Sequence, residues 1–407
     1  MKNKVIFHID VDSFFVAAET WLRPELKNKD IAISKNRAKS VVCALSYSAK
    51  EKGAKVPMKL YEVQKFCPNI IVIEPNHKLY ERLSHKIYMM LKKCYSIKIE
   101  IGSIDEWYLD VSHLKYKYPN PKDLALDIQN NIFKKWNITV SIGISYNKFL
   151  AKISTDLNKP SGITITKKED IPKNIWPLSI DKYIGIGKSL STKLKSINIL
   201  TIEDLAKVNG NKKILLKQIL KNKLDQYINN ANGNNCSDNI DFNKKYYSQT
   251  SIGHQITFEN DYLIDLDLIY KNLKKVTTQV FDIATRRNLI AQGISIIIKY
   301  TDKISFCTSI TIKNNSNKFD DLFSIVTQLF NNHWNDKPIL MLGVSLFNLK
   351  NIYTHKYQSS LFDNNFDNNY QNKQNNQIIE IINEVNYKIK KDNLLLLKDF
   401  KNGAKNE

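Results

Sequence analysis

The stretch His8-Ile9-Asp10-Val11-Asp12-Ser13-Phe14-Phe15, residues 8–15, decides how this chain is read. Val5, Phe7, Ile9 and Val11 alternate on one face, which marks a strand over residues 4–11. Asp12 or Ser13 then stands where a helix cap belongs, ahead of Phe14-Phe15-Val16-Ala17-Ala18-Glu19. Asp10 does not fit that scheme, because a carboxylate inside an apolar strand has no packing role. A second such place is Ser103-Ile104-Asp105-Glu106-Trp107-Tyr108-Leu109-Asp110, with Asp105 and Glu106 at the bend of a predicted hairpin. Neighbouring strand residues face opposite sides, so both acids serve one site only if the Gly102-Ser103 turn twists them to the sheet end. Taken singly, either acid has a second reading, solvating the turn. Together with Asp10 they form a set of hard oxygen ligands from two strands, the donor type that holds Mg²⁺ against phosphate. Asp12 keeps two readings, helix cap and metal ligand.

The 407 residues exceed one hydrophobic core and suit three or four domains, and a hydrophobic fraction of 43% excludes general disorder. Lys and Arg number 61 against 40 acids, a net charge of +21, which makes nucleic acid the leading partner. Richness in Asn, Lys and Ile raises lysine throughout the chain, so single lysines carry little weight. A concentrated acidic site in so basic a chain marks where metal screens approaching polyanions. The combination points to nucleotidyl transfer on a nucleic acid. Cys43, Cys67, Cys94, Cys236 and Cys307 form no CxxC pair, and the His residues are dispersed, so zinc-ligand spacing is absent and free thiols suit a reducing cytosol. The apolar run at 5–9 is broken by His8 and is too short for a signal peptide or a membrane span. The expectation is a soluble cytoplasmic protein with no membrane partner.

Strands are expected at 40–45, 70–73 and 138–144, and helices at 80–95 and 124–136, with a basic turn at 47–53. Strands alternating with helices, with acids at strand ends, give an α+β sheet domain. Short-looped helices follow to about 229, then an Asn/Gly/Asp-rich linker over 229–243. Strands at 252–258, 294–300 and 304–312 around a helix at 268–287 make a second α+β domain. An Asn-rich tail begins at 351, with one candidate helix at 378–389.

These motifs carry a resemblance. The chain resembles the Y-family translesion DNA polymerases, most closely their DinB branch, from residue 4 to about 349. The two acidic segments resemble that family's metal-binding motifs. Ser46-Tyr47-Ser48-Ala49-Lys50 is similar to its fingers motif, and Ile142-Gly143-Ile144-Ser145-Tyr146-Asn147-Lys148-Phe149-Leu150-Ala151-Lys152 with Asn158-Lys159-Pro160-Ser161-Gly162 to a third. Ile184-Gly185-Ile186-Gly187-Lys188 resembles the hairpin of a helix-hairpin-helix, whose glycines bring main-chain N–H groups to a DNA phosphate. A P-loop is excluded there, because Lys182 stands where that motif needs glycine. Ser251-Ile252-Gly253-His254 and Leu342-Gly343-Val344-Ser345-Leu346 resemble the edges of the family's little finger, and Gln358-Ser359-Ser360-Leu361-Phe362 its sliding-clamp peptide.

The resemblance implies an α+β multidomain fold, a polymerase right hand. Its parts are a ferredoxin-like palm (1–20 and 75–168), small fingers (21–74), a helical helix-hairpin-helix thumb (169–229), a linker (230–245), an α+β little finger (246–350) and a tail (351–407). It implies a monomeric, template-directed, low-fidelity polymerase without proofreading, acting on primer-template DNA and deoxynucleoside triphosphates. Asp10, Asp105, Glu106 and the Val11 carbonyl would hold two Mg²⁺ ions. Phe14, Phe15, Tyr47, Lys50 and Lys159 would meet the nucleotide, with Phe15 as steric gate against a ribose 2′-OH. Gly185, Gly187, Lys188, Arg286 and Arg287 would track DNA, and Gln358, Leu361 and Phe362 would hold a sliding clamp. The chain departs from the family pattern at Lys50, where Arg is frequent, at Ala44, where Thr is frequent, and at Trp107, where a small residue is usual. A non-catalytic DNA-binding relative and a palm-type nucleotide cyclase are the alternatives; the intact acids oppose the first, and the hairpin and clamp-like peptide the second.

Overall fold

The structure, a computed structural model, describes residues 4–234, 240–241, 250–258, 262–302, 304–312 and 318–352. The chain divides into two units, Met1–Tyr246 and Tyr247–Glu407. Gln358, Leu361, Phe362, the candidate helix at 378–389 and most of the linker lie outside the described residues. Among the described residues, no helix is long and apolar enough to cross a membrane.

The first unit opens with β1 (Ile6–Val11) and α1 (Phe14–Leu22). A small insertion follows: β2 (Ile31–Ile33), β3 (Ala44–Leu45), α2 (Tyr47–Glu51), α3 (Leu60–Phe66) and β4 (Ile71–Ile73), its sheet ordered β3-β2-β4. The chain returns through α4 (His77–Cys94), β5 (Ile99–Ile101), β6 (Glu106–Asp110), α5 (Pro121–Trp136), β7 (Val140–Ser145), α6 (Lys148–Thr155) and β8 (Ile163–Ile165). The main sheet runs β5-β6-β1-β7-β8, so its first four members have the βαββαβ order of a ferredoxin-like fold.

All six residues of β1 are buried, not one face only. Phe7, Ile9 and Val11 join the core built with α4 and α5, including Leu83, Ile87 and Ile128. The opposite face, with Ile6, His8 and Asp10, is covered by α6: Ile6 packs with Ala151, and His8 Nδ1 lies 2.8 Å from Thr155 Oγ1. Helix α6 approaches so closely that a Cβ on Gly143 would lie 1.9 Å from the Ala151 carbonyl oxygen. Trp107, the unusual bulk after the acids, fits fully buried in the α4–α5 core, with its indole N–H unpartnered.

Three expectations are corrected. The strand expected at 40–45 shrinks to β3, Val41 making only an isolated bridge to Lys59. The basic turn at 47–53 is largely helix α2, because Ser46 Oγ caps it through the Ala49 N–H. Helix α4 starts three residues earlier than the pattern suggests because Asn76 caps it, accepting the Leu79 N–H at 3.1 Å.

The rest of the first unit is helical: α7 (Lys188–Lys195), α8 (Ile202–Ala206), α9 (Gly210–Leu220) and α10 (Leu224–Ala231) enclose Ile180, Leu194, Ile202, Leu205 and Leu216. The second unit contains β9 (Ser251–Thr257), α11 (Leu266–Arg286), β10 (Leu289–Tyr300), β11 (Ser305–Thr311), α12 (Phe319–His333) and β12 (Ile339–Asn351). Its antiparallel sheet runs β11-β10-β12-β9, and α11 and α12 pack on it through Leu273, Val276, Val280, Val326 and Phe330. Helix α12 has no counterpart in the sequence expectations.

Candidate active site

The antiparallel register pairs Asp10 with Glu106 and His8 with Tyr108. Directly opposed residues of such a pair point to the same face. Both acids therefore emerge on the α6 side at one end of the central strands. Asp105 is not in β6 but in the turn before it, where its carbonyl accepts the Val11 N–H at 3.1 Å and its carboxylate the Ser103 hydroxyl at 2.5 Å. The turn thus sets Asp105 at the sheet end where β6 begins with Glu106.

Lysines meet two of these carboxylates. Lys159 Nζ lies 2.8 Å from Asp10 and 3.0 Å from Asp156; Lys152 Nζ lies 2.5 Å from Glu106. His8 Nε2 stands 3.6 Å from the same Glu106 oxygen. Burial pushes the Asp10 carboxyl up to about 7 against the pull of Lys159, and repulsion from Glu106 and Asp105 adds to the rise. Burial would also raise Glu106, but His8 and Lys152 outweigh it and hold that carboxyl well below the usual range. Burial lowers the His8 imidazole, against the pull of Glu106. Among the described residues, no three His, Cys, Asp or Glu side chains are gathered as a ready metal cage. The donor set nevertheless fits a divalent cation: its oxygens are hard, its charges mutually repulsive, and ammonium groups stand where positive charge is needed.

Helix α2 faces these acids. Lys50 Nζ bonds Ser13 Oγ at 2.8 Å and lies 4.3 Å from the centre of the Tyr47 ring. Tyr47 Oη lies 3.5 Å from Asp12, and burial followed by the Asp12 charge pushes its phenol up to about 12. Ala44 opens the two-residue strand β3 just ahead of this helix. Phe15 is half-buried, stacked on Tyr80 with ring centres 4.3 Å apart and an angle of 16°. Phe14 is 3% exposed and belongs to the core, so its ring cannot meet a nucleotide, which leaves only its main chain for that role.

In the helical part, Gly185 has φ +94°, a conformation costly for other residues, and its carbonyl accepts from Tyr227 Oη at 3.2 Å. Gly187 heads α7 with open space around its Cα, next to a cavity of about 660 Å³ lined by Lys188, Lys193 and Lys221. Arg286 and Arg287 are exposed at the end of α11, in the second unit. Sequence reading missed His8, Lys152 and the anchoring of Asp12 as parts of the site. The one available signal for Lys152 was its four-residue spacing from Lys148, which puts both on one helical face.

The impB/mucB/samB family matches residues 9–156, its helix-hairpin-helix motif 168–199 and its C-terminal domain 249–361. The chain is 33% identical to DNA polymerase IV of Oceanobacillus iheyensis over 85% of its own length and 81% of the relative's. It is 36% identical to DNA polymerase IV of Ureaplasma parvum serovar 3 over 89% of its length and the whole of that relative. A Y-family DNA polymerase chimera of Dbh and Dpo4 matches its fold with a TM-score of 0.74 at 25% identity, over 85% of this chain and 99% of the chimera. DinB from Sulfolobus solfataricus matches with a TM-score of 0.56 at 26% identity over the same shares. Fold, acidic strand ends and helix-hairpin-helix together define a DNA-directed DNA polymerase of the translesion class. The chain belongs to the Y family of these enzymes, in its DNA polymerase IV branch.

Proposed function

We propose that this chain extends a primer 3′ end on template DNA by two-metal nucleotidyl transfer, with low fidelity and no proofreading. The pairing of Asp10 with Glu106 on one face, beside Asp105 at the strand end, carries the reading. Asp10, Asp105, Glu106 and the Val11 carbonyl would hold two Mg²⁺ ions, which when bound supply activation of the 3′-OH and charge neutralisation at the triphosphate. Tyr47, Lys50 and Lys159 orient the triphosphate, the lysines as point charges and the tyrosine through its hydroxyl. The Phe15 ring, braced by Tyr80, excludes a ribose 2′-OH. Gly185, Gly187 and Lys188 receive a DNA phosphate through main-chain N–H groups and an ammonium group, and Arg286 and Arg287 add phosphate contacts. One of the solved relatives is an insertion ternary complex of Dbh DNA polymerase, which supports primer-template and incoming nucleotide as substrates here. The proposed limits are palm 1–20 and 75–168, fingers 21–74, thumb 169–229, linker 230–245, little finger 246–350 and a clamp-binding tail 351–407, in a monomer. Glu106→Ala should abolish nucleotide incorporation while primer-template affinity, read by fluorescence anisotropy, stays within about threefold of wild type. Wild-type extension by that variant would overturn the metal assignment.

A further inference from the structure

We infer that Asp12 is a positioning residue for nucleotide binding, its carboxylate clasping together the segments that carry Tyr47 and Lys159. Neither of its sequence readings fits the structure. Helix α1 is headed by Ser13, at φ 46°, and no side chain caps it. The partners of the Asp12 carboxylate are Ser141, Tyr47 and Ser161. Asp12 is 4% exposed, and both of its oxygens are engaged.

Oδ1 accepts the Ser141 hydroxyl at 2.7 Å and lies 3.5 Å from Tyr47 Oη; Oδ2 accepts the Ser161 main-chain N–H at 2.9 Å. One buried carboxylate thus joins three segments lying 35, 129 and 149 residues away in the chain. Hydrogen bonds to a buried carboxylate are strong ones, so the clasp is stiff at Ser141 and Ser161. Ser141 is fully buried on β7 and fixes the clasp to the central sheet. Ser161 lies two residues beyond Lys159 and has φ 57°, a backbone region that a residue other than glycine holds only with support. The Asp12 oxygen supplies that support, and through it the direction of the Lys159 loop.

The Tyr47 contact differs, since 3.5 Å is at the outer limit of hydrogen bonding. The hydroxyl is held near the acid yet remains able to turn to a phosphate oxygen. Asp12 therefore acts through its neighbours and touches no substrate. The inference rests on the reading of Tyr47 and Lys159 as triphosphate ligands.

Steady-state primer extension with the full chain tests it. Asp12→Asn keeps the volume but sets an amide NH₂ against either the Ser161 N–H or the Ser141 hydroxyl, both donors in the native structure. The KM for the nucleotide should rise about tenfold while kcat falls less than about threefold, with primer-template affinity unchanged. Ser141→Ala removes one donor and leaves the acid in place; it should raise KM about twofold to threefold, and it decides the matter if Asp12→Asn folds poorly. Unchanged KM in a folded Asp12→Asn protein, or in Ser141→Ala when the first does not fold, overturns the clasp. A fall in kcat with KM constant also overturns it, because that would make Asp12 part of the chemistry. Lys159→Ala is the separate arm: if it leaves KM unchanged, the triphosphate reading itself is wrong. A raised KM in Lys159→Ala beside an unchanged one in Asp12→Asn rejects the clasp alone.

Discussion

Lys152 and Glu106 meet at 2.5 Å, their side chains 25% and 18% exposed, with the His8 ring 3.6 Å from the same carboxylate oxygen. An ion pair this sheltered matters most when one partner is removed, since the other is left desolvated and uncompensated. Lys152→Met should therefore destabilise the metal-free protein by about 1–3 kcal/mol. Divalent cations should restore more stability to the variant than to wild type, because Glu106 then lacks the ammonium group it pairs with. Thermal melts in chelator and in Mg²⁺ read both effects, and an equal Mg²⁺-induced shift in the two proteins would contradict the argument. Asp10, Asp105 and Glu106 stood out as candidates in the sequence because Asp10 interrupts an apolar strand and the other two join it from a second segment. Lys152 did not, since a lysine on a helix of a chain with 61 basic residues reads as solvated surface.

Helix α8 shows how a short element holds its place. Thr201 Oγ1 accepts the Asp204 N–H at 3.2 Å, and Asp204 accepts the Leu200 and Thr201 N–H groups at 2.8 Å each. Burial would raise the Asp204 carboxyl, but those donors prevail and hold it below its ordinary value. A depressed folded value means stabilisation that is present above the ordinary Asp range and lost as pH falls through the folded one. Asp204→Ala should cost about 1 kcal/mol at pH 7 and distinctly less at about pH 3, as urea melts would reveal. An equal loss at both pH values would assign the effect to packing. Helices α2 and α4 teach the same lesson in the sequence. Their starts are set by Ser46 and Asn76, single capping residues that hydrophobic periodicity passes over.

Across the whole molecule the excess charge is +21, and the second unit has its own core behind its four-stranded sheet. Sequence-independent attraction to phosphate holds such a protein on DNA only briefly at physiological salt, so processive work needs a tether. Leu361 and Phe362, beyond the last strand, are the proposed apolar anchors of that tether, which dominate peptide docking of this kind. Replacing both with Ala should leave basal primer extension intact and remove stimulation by a loaded sliding clamp. Stimulation equal to wild type would make the peptide a chance match in an Asn-rich tail.

Sequence by itself determined the class of fold and marked the acids as a candidate site, because both are written in local pattern. Alternation marked β1, acids marked its end, and glycines marked the hairpin before α7. Tertiary structure alone decided which face those acids share. That follows from the β1–β6 register and from α6, drawn against the sheet where Gly143 has no side chain. It alone decided the partners of Asp12, whose bonds span 35 to 149 residues of chain, a separation across which no sequence period reaches. Buried charges choose partners by proximity and desolvation, and both exist only once the chain has closed around them.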